Sequence, residues 1–149
     1  MNHHLLLIIH LICATIWVGG HLYVATIIIP SILKKRDAKR LLDFEKSFEP
    51  LGMPSLLILI ITGVWMMYQY GVTFSDLFSF STPIETAISL KVLFLLATVA
   101  LAISAQSWVL PSVRKSPKRI PIVAGHVIMV ALLGVALLTV GSFVSRGGL

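Results

Sequence analysis

Four long apolar runs divide this chain and leave little room for anything else. They cover residues 5–29, 53–70, 84–110 and 120–144 of the 149 residues. A helix crosses a bilayer with roughly 20 apolar residues, so each run has about the length of one membrane span. We therefore predict an all-α integral membrane protein, with residues 1–149 forming one four-helix transmembrane bundle.

Composition supports a membrane protein and excludes several other classes. Hydrophobic residues make up 57% of the chain and charged residues 12%, which is too apolar for a soluble domain of this size. A single cysteine, Cys13, excludes an internal disulfide and a cysteine-based zinc or iron–sulfur site within one chain. The basic residues are confined to short loops between apolar runs, so we do not expect a nucleic-acid partner.

The basic residues also predict the orientation. They cluster in the loops over residues 31–52 and 112–119, whereas residues 71–83 contain none. Because basic loops stay in the cytoplasm, we expect a multi-pass protein of the inner (plasma) membrane with both termini on the outer, periplasmic side. Prolines 30, 54, 83, 111 and 121 are expected to mark the ends of the spans. Leu41, Phe44 and Phe48 predict a short amphipathic helix on the membrane surface. The clustered basic residues are Lys34, Lys35, Arg36, Lys39, Arg40, Lys46, Arg114, Lys115, Lys118 and Arg119.

Three histidines and one lysine lie inside the apolar runs. A lysine in hydrocarbon costs about 3 kcal/mol or more, so Lys91 is expected to have a partner and a task. At about 1.5 Å per residue, His10 and Lys91 fall at one depth on the outer side of the midplane. His21 and His126 fall together at a second depth on the inner side. His10 and His21 share one face of the first helix, with Trp17 at a neighbouring angle.

Haem b is the cofactor that these residues favour. Facing helices of a bundle can supply axial imidazole nitrogens, and an aromatic residue such as Trp17 can cover the macrocycle. We expect His21 and His126 to be the axial ligands. His10 and Lys91 would then form a second haem site or a catalytic site for substrate and protons.

Copper is the alternative metal. His10 and Cys13 are spaced i, i+3 on the first helix, and Met66 and Met67 on the second helix lie toward the same outer level. Thiol and thioether groups are soft ligands that suit Cu(I). Methionine and cysteine are also common packing residues in apolar helices, and packing is the more frequent explanation of these positions.

Several short motifs resemble a known membrane family. The segment HLICATIWVGGHLY from His10 to Tyr23, the TGVW sequence from Thr62 to Trp65 and the SLK sequence ending at Lys91 are similar to the CopD-like family, named for copper resistance protein D. They are equally similar to its relatives, the HemJ-type protoporphyrinogen oxidases. In those oxidases, a histidine seven residues before a tryptophan and a third-helix lysine are associated with b-type haem, and they match His10 and Lys91.

The resemblance has different implications for the two groups. HemJ-type relatives imply haem-dependent oxidation, whereas the copper-resistance members imply copper uptake or tolerance. This chain lacks the proline-arginine segment typical of the HemJ-type first helix and adds His21 and His126.

We therefore predict a membrane haem protein that acts as an oxidoreductase or electron carrier, linked to a quinone or a porphyrin substrate, with one or two haem groups. Copper transport or resistance is the second hypothesis, and a noncatalytic assembly factor is the third. Whether the protein is an enzyme stays open. The expected partners are the lipid bilayer and a second copy of the chain.

Overall fold

The computed structural model describes residues 2–35 and 37–149, so Met1 and Arg36, one of the predicted basic loop residues, lie outside the described residues. Within these ranges, four helices are long and apolar enough to cross a membrane. They are α1 (His3–Lys35), α2 (Lys39–Gln69), α3 (Pro83–Lys115) and α4 (Ile120–Val144). The same ranges contain no strand, which confirms the predicted all-α membrane bundle.

The helices form an antiparallel bundle in which α1 packs along α2 and α4, and α3 packs along α4. Nδ1 of His3 lies 2.7 Å from Oε1 of Gln69, and the N–H of Leu149 donates to the carbonyl of Pro83 over 3.1 Å. Both termini therefore lie at the end that also carries residues 70–82. We call this the terminal end and call the opposite end, with the basic residues around 34–40 and 114–119, the basic end.

Two helix starts follow from local sequence. The Asn2 side chain accepts a hydrogen bond from the N–H of His4 over 3.3 Å at the start of α1. At the start of α3, Thr82 accepts from the N–H of Glu85 over 3.2 Å, and Pro83 occupies the first turn. Side-chain oxygens at these positions satisfy N–H groups that have no partner within the helix, and proline has no N–H to leave unpaired.

Three of the five prolines expected to end the spans lie inside helices, so the prediction is wrong for them. α1 continues past Pro30, α2 contains Pro54, and α3 continues past Pro111. It is correct for Pro83 and Pro121, which lie in first turns. Because Pro54 lies inside the helix, α2 begins at Lys39, well before the expected start of its apolar run.

The backbone accommodates Pro30 and Pro111 with π-helical turns at Val24–Ile28 and Ala105–Val109. A proline ring clashes with the carbonyl four residues earlier, and in both cases that residue lies in the middle of the π-helical turn. The wider turn relieves the clash, so each helix continues to the basic end.

The segment predicted to lie on the membrane surface is helical but forms the first turns of α2. Leu41 is 3% exposed and belongs to a buried cluster with Ile28, Val109 and Val123, and Phe44 packs against this cluster. The apolar stripe therefore covers the interior of the bundle at its basic end. The prediction of a separate surface helix is wrong, because the stripe has bundle partners from α1, α3 and α4.

The outer faces of the helices are apolar, as a bilayer requires. Exposed side chains include Ile12, Leu57, Leu96, Ile103 and Leu132. Outside the spans, residues 70–82 are ordered by local hydrogen bonds, and those from the Thr73 hydroxyl and N–H hold the pKa of the Asp76 carboxyl below its usual value. The fold is thus a multi-pass membrane protein; its orientation in the cell remains a prediction.

Candidate metal centre

A cavity of about 120 Å³ lies among all four helices in the half of the bundle toward the basic end. Trp17 and His21 line it from α1, Phe48 from α2, and His126 from α4. Ala102, Gln106 and Val109 line it from α3. We call it the bundle cavity. The structure therefore brings together the two histidines that the sequence placed at one depth.

His21 is held by the backbone of its own helix. Its Nδ1 lies 2.8 Å from the carbonyl oxygen of Trp17, one turn earlier. A carbonyl only accepts hydrogen bonds, so we assign the proton to Nδ1. In the neutral ring, Nε2 then keeps a free lone pair, which is the form of histidine that binds a metal.

His126 has a matching arrangement across two helices. Its Nε2 lies 2.8 Å from the carbonyl oxygen of Leu101 and 3.2 Å from Oγ of Ser104. The Ser104 hydroxyl itself lies 3.0 Å from the same carbonyl, so it donates there. We assign the proton to Nε2, and Nδ1 of the neutral ring keeps the lone pair.

Aromatic rings cover one side of the bundle cavity. The Trp17 and His21 ring centroids are 4.5 Å apart, and those of Phe44 and Phe48 are 5.3 Å apart in a stacked arrangement. The Phe48 ring also contacts the edge of His21, with centroids 6.0 Å apart. These contacts fix the His21 ring in a largely apolar surrounding.

The Phe48 ring occupies a gap created by two glycines. A Cβ atom at Gly20 or at Gly52 would overlap the Phe48 ring. Close approach of α1 and α2 at this level therefore depends on the absence of both side chains. The ring fills the space beside His21 and limits the size of the bundle cavity.

Both π-helical turns border the bundle cavity. Val24 comes from the turn in α1, and Ala105, Gln106 and Val109 come from the turn in α3. π-Helical turns often occur at functional sites, where the wider turn redirects side chains. The prolines that cause these turns thus shape the lining of the site.

Glu45 closes the basic-end side of the bundle cavity. Its carboxylate accepts from Nε2 of Gln106 over 3.1 Å and lies 3.5 Å from the guanidinium of Arg114. The Arg114 side chain is 59% exposed and that of Glu45 is 15% exposed, so solvent screens the pair from the Arg114 side and its contribution to stability is small. The contacts do tie the start of α2 to the end of α3 over the bundle cavity.

Trp17 carries an unsatisfied donor. Its side chain is 5% exposed, and its Nε1 is buried without an acceptor among the described residues. Such a group costs free energy, and unpaired buried polar atoms are uncommon in native structures. Trp17, which the sequence predicts as a site residue, lines the bundle cavity beside His21.

His10 and Lys91 lie in the other half of the bundle, toward the terminal end. Nδ1 of His10 lies 2.7 Å from Oγ1 of Thr62. The Thr62 hydroxyl also lies 2.6 Å from the carbonyl of Ile58, so it donates there and accepts from His10. Nε2 of His10 is thus left free as an acceptor or ligand in the neutral ring.

Lys91 points toward α4. Its Nζ would lie 3.5 Å from a Cβ atom at Gly141. Lys91 makes no hydrogen bond or ion pair with any residue in the described part of the chain. The structure thus separates the site residues into two levels, as predicted, while the roles assigned to them remain predictions.

The residues considered for an outer copper site are buried. Cys13 is 6% exposed, and Met66 is 6% exposed. Met67 packs with Ala87, Ile88 and Val140 in a cluster between α2, α3 and α4. Packing therefore accounts for Met67, and the structure gives no reason to group it with His10.

Sequence reasoning overlooked Met53, which lines the bundle cavity together with His21 and His126. It stands next to Pro54, which was expected to mark a span end, so Met53 was treated as a boundary residue. The described residues contain no group of three or more His, Cys, Asp or Glu side chains arranged to hold a metal. The lining of the bundle cavity also includes the carboxylates of Glu45 and Glu49, and the Met53 side chain is 41% exposed.

In a comparison with known families, residues 42–144, more than two thirds of the chain, match the model of the copper resistance protein D family. The chain belongs to the copper resistance protein D family. The matched range contains Met53, Lys91 and His126 of this CopD-family protein, but it leaves out His10, Trp17 and His21. No curated protein and no solved structure matches the chain. Its relation to the HemJ-type oxidases remains a resemblance.

Proposed function

We propose that this CopD-family protein functions in copper transport or copper resistance and holds Cu(I) in the bundle cavity through His21 and His126. One observation carries the proposal: both histidines line the same cavity, and a main-chain carbonyl holds one ring nitrogen of each, which leaves the other nitrogen free to bind a metal. Metal-binding histidines almost always have such a second partner, which fixes the ring and its tautomer.

The third ligand in the proposal is the thioether of Met53. Thioether and imidazole groups together suit copper, and a soft sulfur ligand favours Cu(I) over Mg²⁺ or Ca²⁺. A structural zinc site would instead require four ligands of the Cys, His or carboxylate type, and the described residues contain no group of three of these. The ligand chemistry and the family name therefore point to the same metal.

His10 has a separate role in this proposal. It lies in the half of the bundle toward the terminal end, with one nitrogen fixed by Thr62. A copper ion entering from that end would meet His10 before the bundle cavity. Lys91 would repel a cation at the same level, so we assign it to the control of entry rather than to binding.

Haem b with His21 and His126 as axial ligands is the second candidate. The two imidazoles come from different helices, α1 and α4, and aromatic rings cover one side of the cavity. The volume argues against it, because drug-sized ligands occupy cavities of roughly 300–1,000 Å³ and the bundle cavity has about 120 Å³. The Phe48 ring, which lies against Gly20 and Gly52, takes up part of the space that haem would need.

Metal analysis combined with visible absorption spectra of the purified protein, oxidised and dithionite-reduced, distinguishes the candidates. We expect stoichiometric copper, no haem bands, and loss of copper in His21→Ala and in His126→Ala. His4→Ala is the matched control, because His4 is an exposed histidine at the terminal end. Haem bands that disappear in the two cavity variants would favour the oxidoreductase, with His10 and Lys91 as its catalytic pair. Absence of both metals would favour the noncatalytic assembly factor.

A further inference from the structure

A second cavity, of about 360 Å³, runs along the outside of α3 at the basic end. It is lined by α3 residues from Ser107 to Lys115 and, beyond the helix, by Ser116 and Arg119. We call it the α3 groove. It shares no lining residue with the bundle cavity, so it is independent of the proposed copper site.

The polarity of the α3 groove changes along the helix. Trp108 stands at its deeper end with 57% of its side chain exposed, whereas Lys115 and Arg119 stand at the basic end. Eight residues separate Ser107 from Lys115, which corresponds to about 12 Å along the helix axis. The groove therefore runs from the hydrocarbon region into the interface, where tryptophan and basic side chains concentrate.

The two cations of the α3 groove have no protein partner. Neighbouring Arg114 lies 3.5 Å from Glu45, but no ion pair or side-chain hydrogen bond involves Lys115 or Arg119 in residues 2–35 and 37–149. The chain turns tightly after α3, since the N–H of Ser116 donates to Ser112 and the N–H of Arg119 donates to Ser116, each over 3.1 Å. This turn brings Arg119 back to the groove beside Lys115.

We propose that the α3 groove binds an anionic phospholipid, with the headgroup phosphate between Lys115 and Arg119 and the acyl region along Trp108. The cationic end complements the phosphate, and the Ser116 hydroxyl can donate to it. The exposed apolar end at membrane depth distinguishes a lipid from a free anion, which would have no contact with Trp108. Basic sites at the interface that recognise lipid headgroups have this character.

Native mass spectrometry of the full chain with phosphatidylglycerol tests the proposal, with phosphatidylcholine of the same acyl chains as the neutral probe. We compare Lys115→Gln/Arg119→Gln with the matched control Lys34→Gln/Lys35→Gln, which removes the same charge from exposed positions at the same end. Phosphatidylglycerol should bind about 30-fold more weakly to the groove variant, since each of the two basic residues near an anionic headgroup contributes about fivefold. The control should retain it within about twofold of wild type.

Three results would overturn the proposal. An equal loss of phosphatidylglycerol binding in the groove variant and in the control variant would mean that the lipid is attracted diffusely to all surface cations. Binding of phosphatidylcholine to wild type as strong as that of phosphatidylglycerol would mean that the headgroup charge is not recognised. Release of phosphatidylglycerol by millimolar inorganic phosphate would indicate a free-anion site. Thermal unfolding of each variant in detergent confirms that the compared proteins are folded.

Discussion

At His21 and His126, main-chain carbonyls decide which ring nitrogen remains available. The Trp17 carbonyl holds Nδ1 of His21, and the Leu101 carbonyl holds Nε2 of His126. His10 is also held through Nδ1, but its partner is the hydroxyl of Thr62 instead of a main-chain carbonyl. A carbonyl cannot donate, so the two cavity histidines are fixed as donors on one side and are suited to bind a metal on the other.

Gly20 is expected to be essential for packing beside the site. Gly20→Ala places a Cβ atom in the Phe48 ring and should lower the free energy of unfolding by about 1–3 kcal/mol through overpacking. Gly19→Ala is the control, because a Cβ there meets nothing within 4 Å. Thermal unfolding in detergent measures both. Combining Gly20→Ala with Phe48→Ala should remove the Gly20 penalty, and an undiminished penalty would contradict the overlap.

Lys91 is expected to reduce the stability of the fold. Its side chain is half-buried beside α4, and its amine has no hydrogen-bond or ion-pair partner among the described residues. Lys91→Met keeps the side-chain length and removes the charge, so it should stabilise the protein by on the order of 1–3 kcal/mol. Lys91→Arg should destabilise it, since the larger guanidinium has to fit beside Gly141. A lower thermal midpoint for Lys91→Met would show that the amine has a stabilising partner.

Among the elements, α1 and α3 share one device: a π-helical turn followed by a proline, with the helix continuing to the basic end. The proline explains the turn, and the turn places Val24 and Gln106 at the bundle cavity. Proline is therefore not a reliable mark of a span end in this protein. In a membrane, the helix cannot simply stop, because its carbonyls would lack partners.

The π-helical turn of α1 gives an element-scale prediction. A π-helical turn holds one more residue than an α-helical turn, so deletion of Thr26 should convert it without shifting either half of α1. With Pro30 retained, the deletion should lower the free energy of unfolding by about 3 kcal/mol, because the ring meets an α-helical carbonyl. Deletion of Thr26 combined with Pro30→Ala should restore most of the lost free energy of unfolding. Equal thermal midpoints for the two proteins would mean that Pro30 does not cause the turn.

Sequence alone predicted the helices better than their ends. Long apolar runs identified all four spans, because no other structure satisfies the backbone in a bilayer. The first turns of α2 were misjudged, since Phe44 and Phe48 have an amphipathic pattern that fits either a membrane surface or a bundle interior. The depth argument correctly paired His21 with His126. Met53 could not be found in this way, because its place at the cavity depends on α2 continuing past Pro54.

At the scale of the whole molecule, the bundle is asymmetric between its ends. The basic end carries the loops near residues 34–40 and 114–119, together with the bundle cavity and the α3 groove. The terminal end carries both termini and residues 70–82. The predicted orientation, which rests on these basic loops, places the basic end in the cytoplasm.

Cysteine labelling in intact cells measures the orientation. In a Cys13→Ala background, Ser81→Cys at the terminal end should react with a membrane-impermeant thiol reagent, and Ser116→Cys at the basic end should be protected. Both serines lie outside the four spanning helices. Labelling of Ser116→Cys with protection of Ser81→Cys would invert the orientation. It would leave the pairing of His21 with His126 unchanged.

In the proposed site, His21, His126 and Met53 hold Cu(I) in the bundle cavity. X-ray absorption at the copper edge of the Cu(I)-loaded protein measures the ligands directly. Wild type should show imidazole nitrogen together with one sulfur. Met53→Leu should lose the sulfur contribution and keep the imidazoles, since leucine removes the thioether and leaves both histidines in place. A wild-type spectrum without imidazole, or one that is unchanged in His21→Ala and His126→Ala, would contradict the claim.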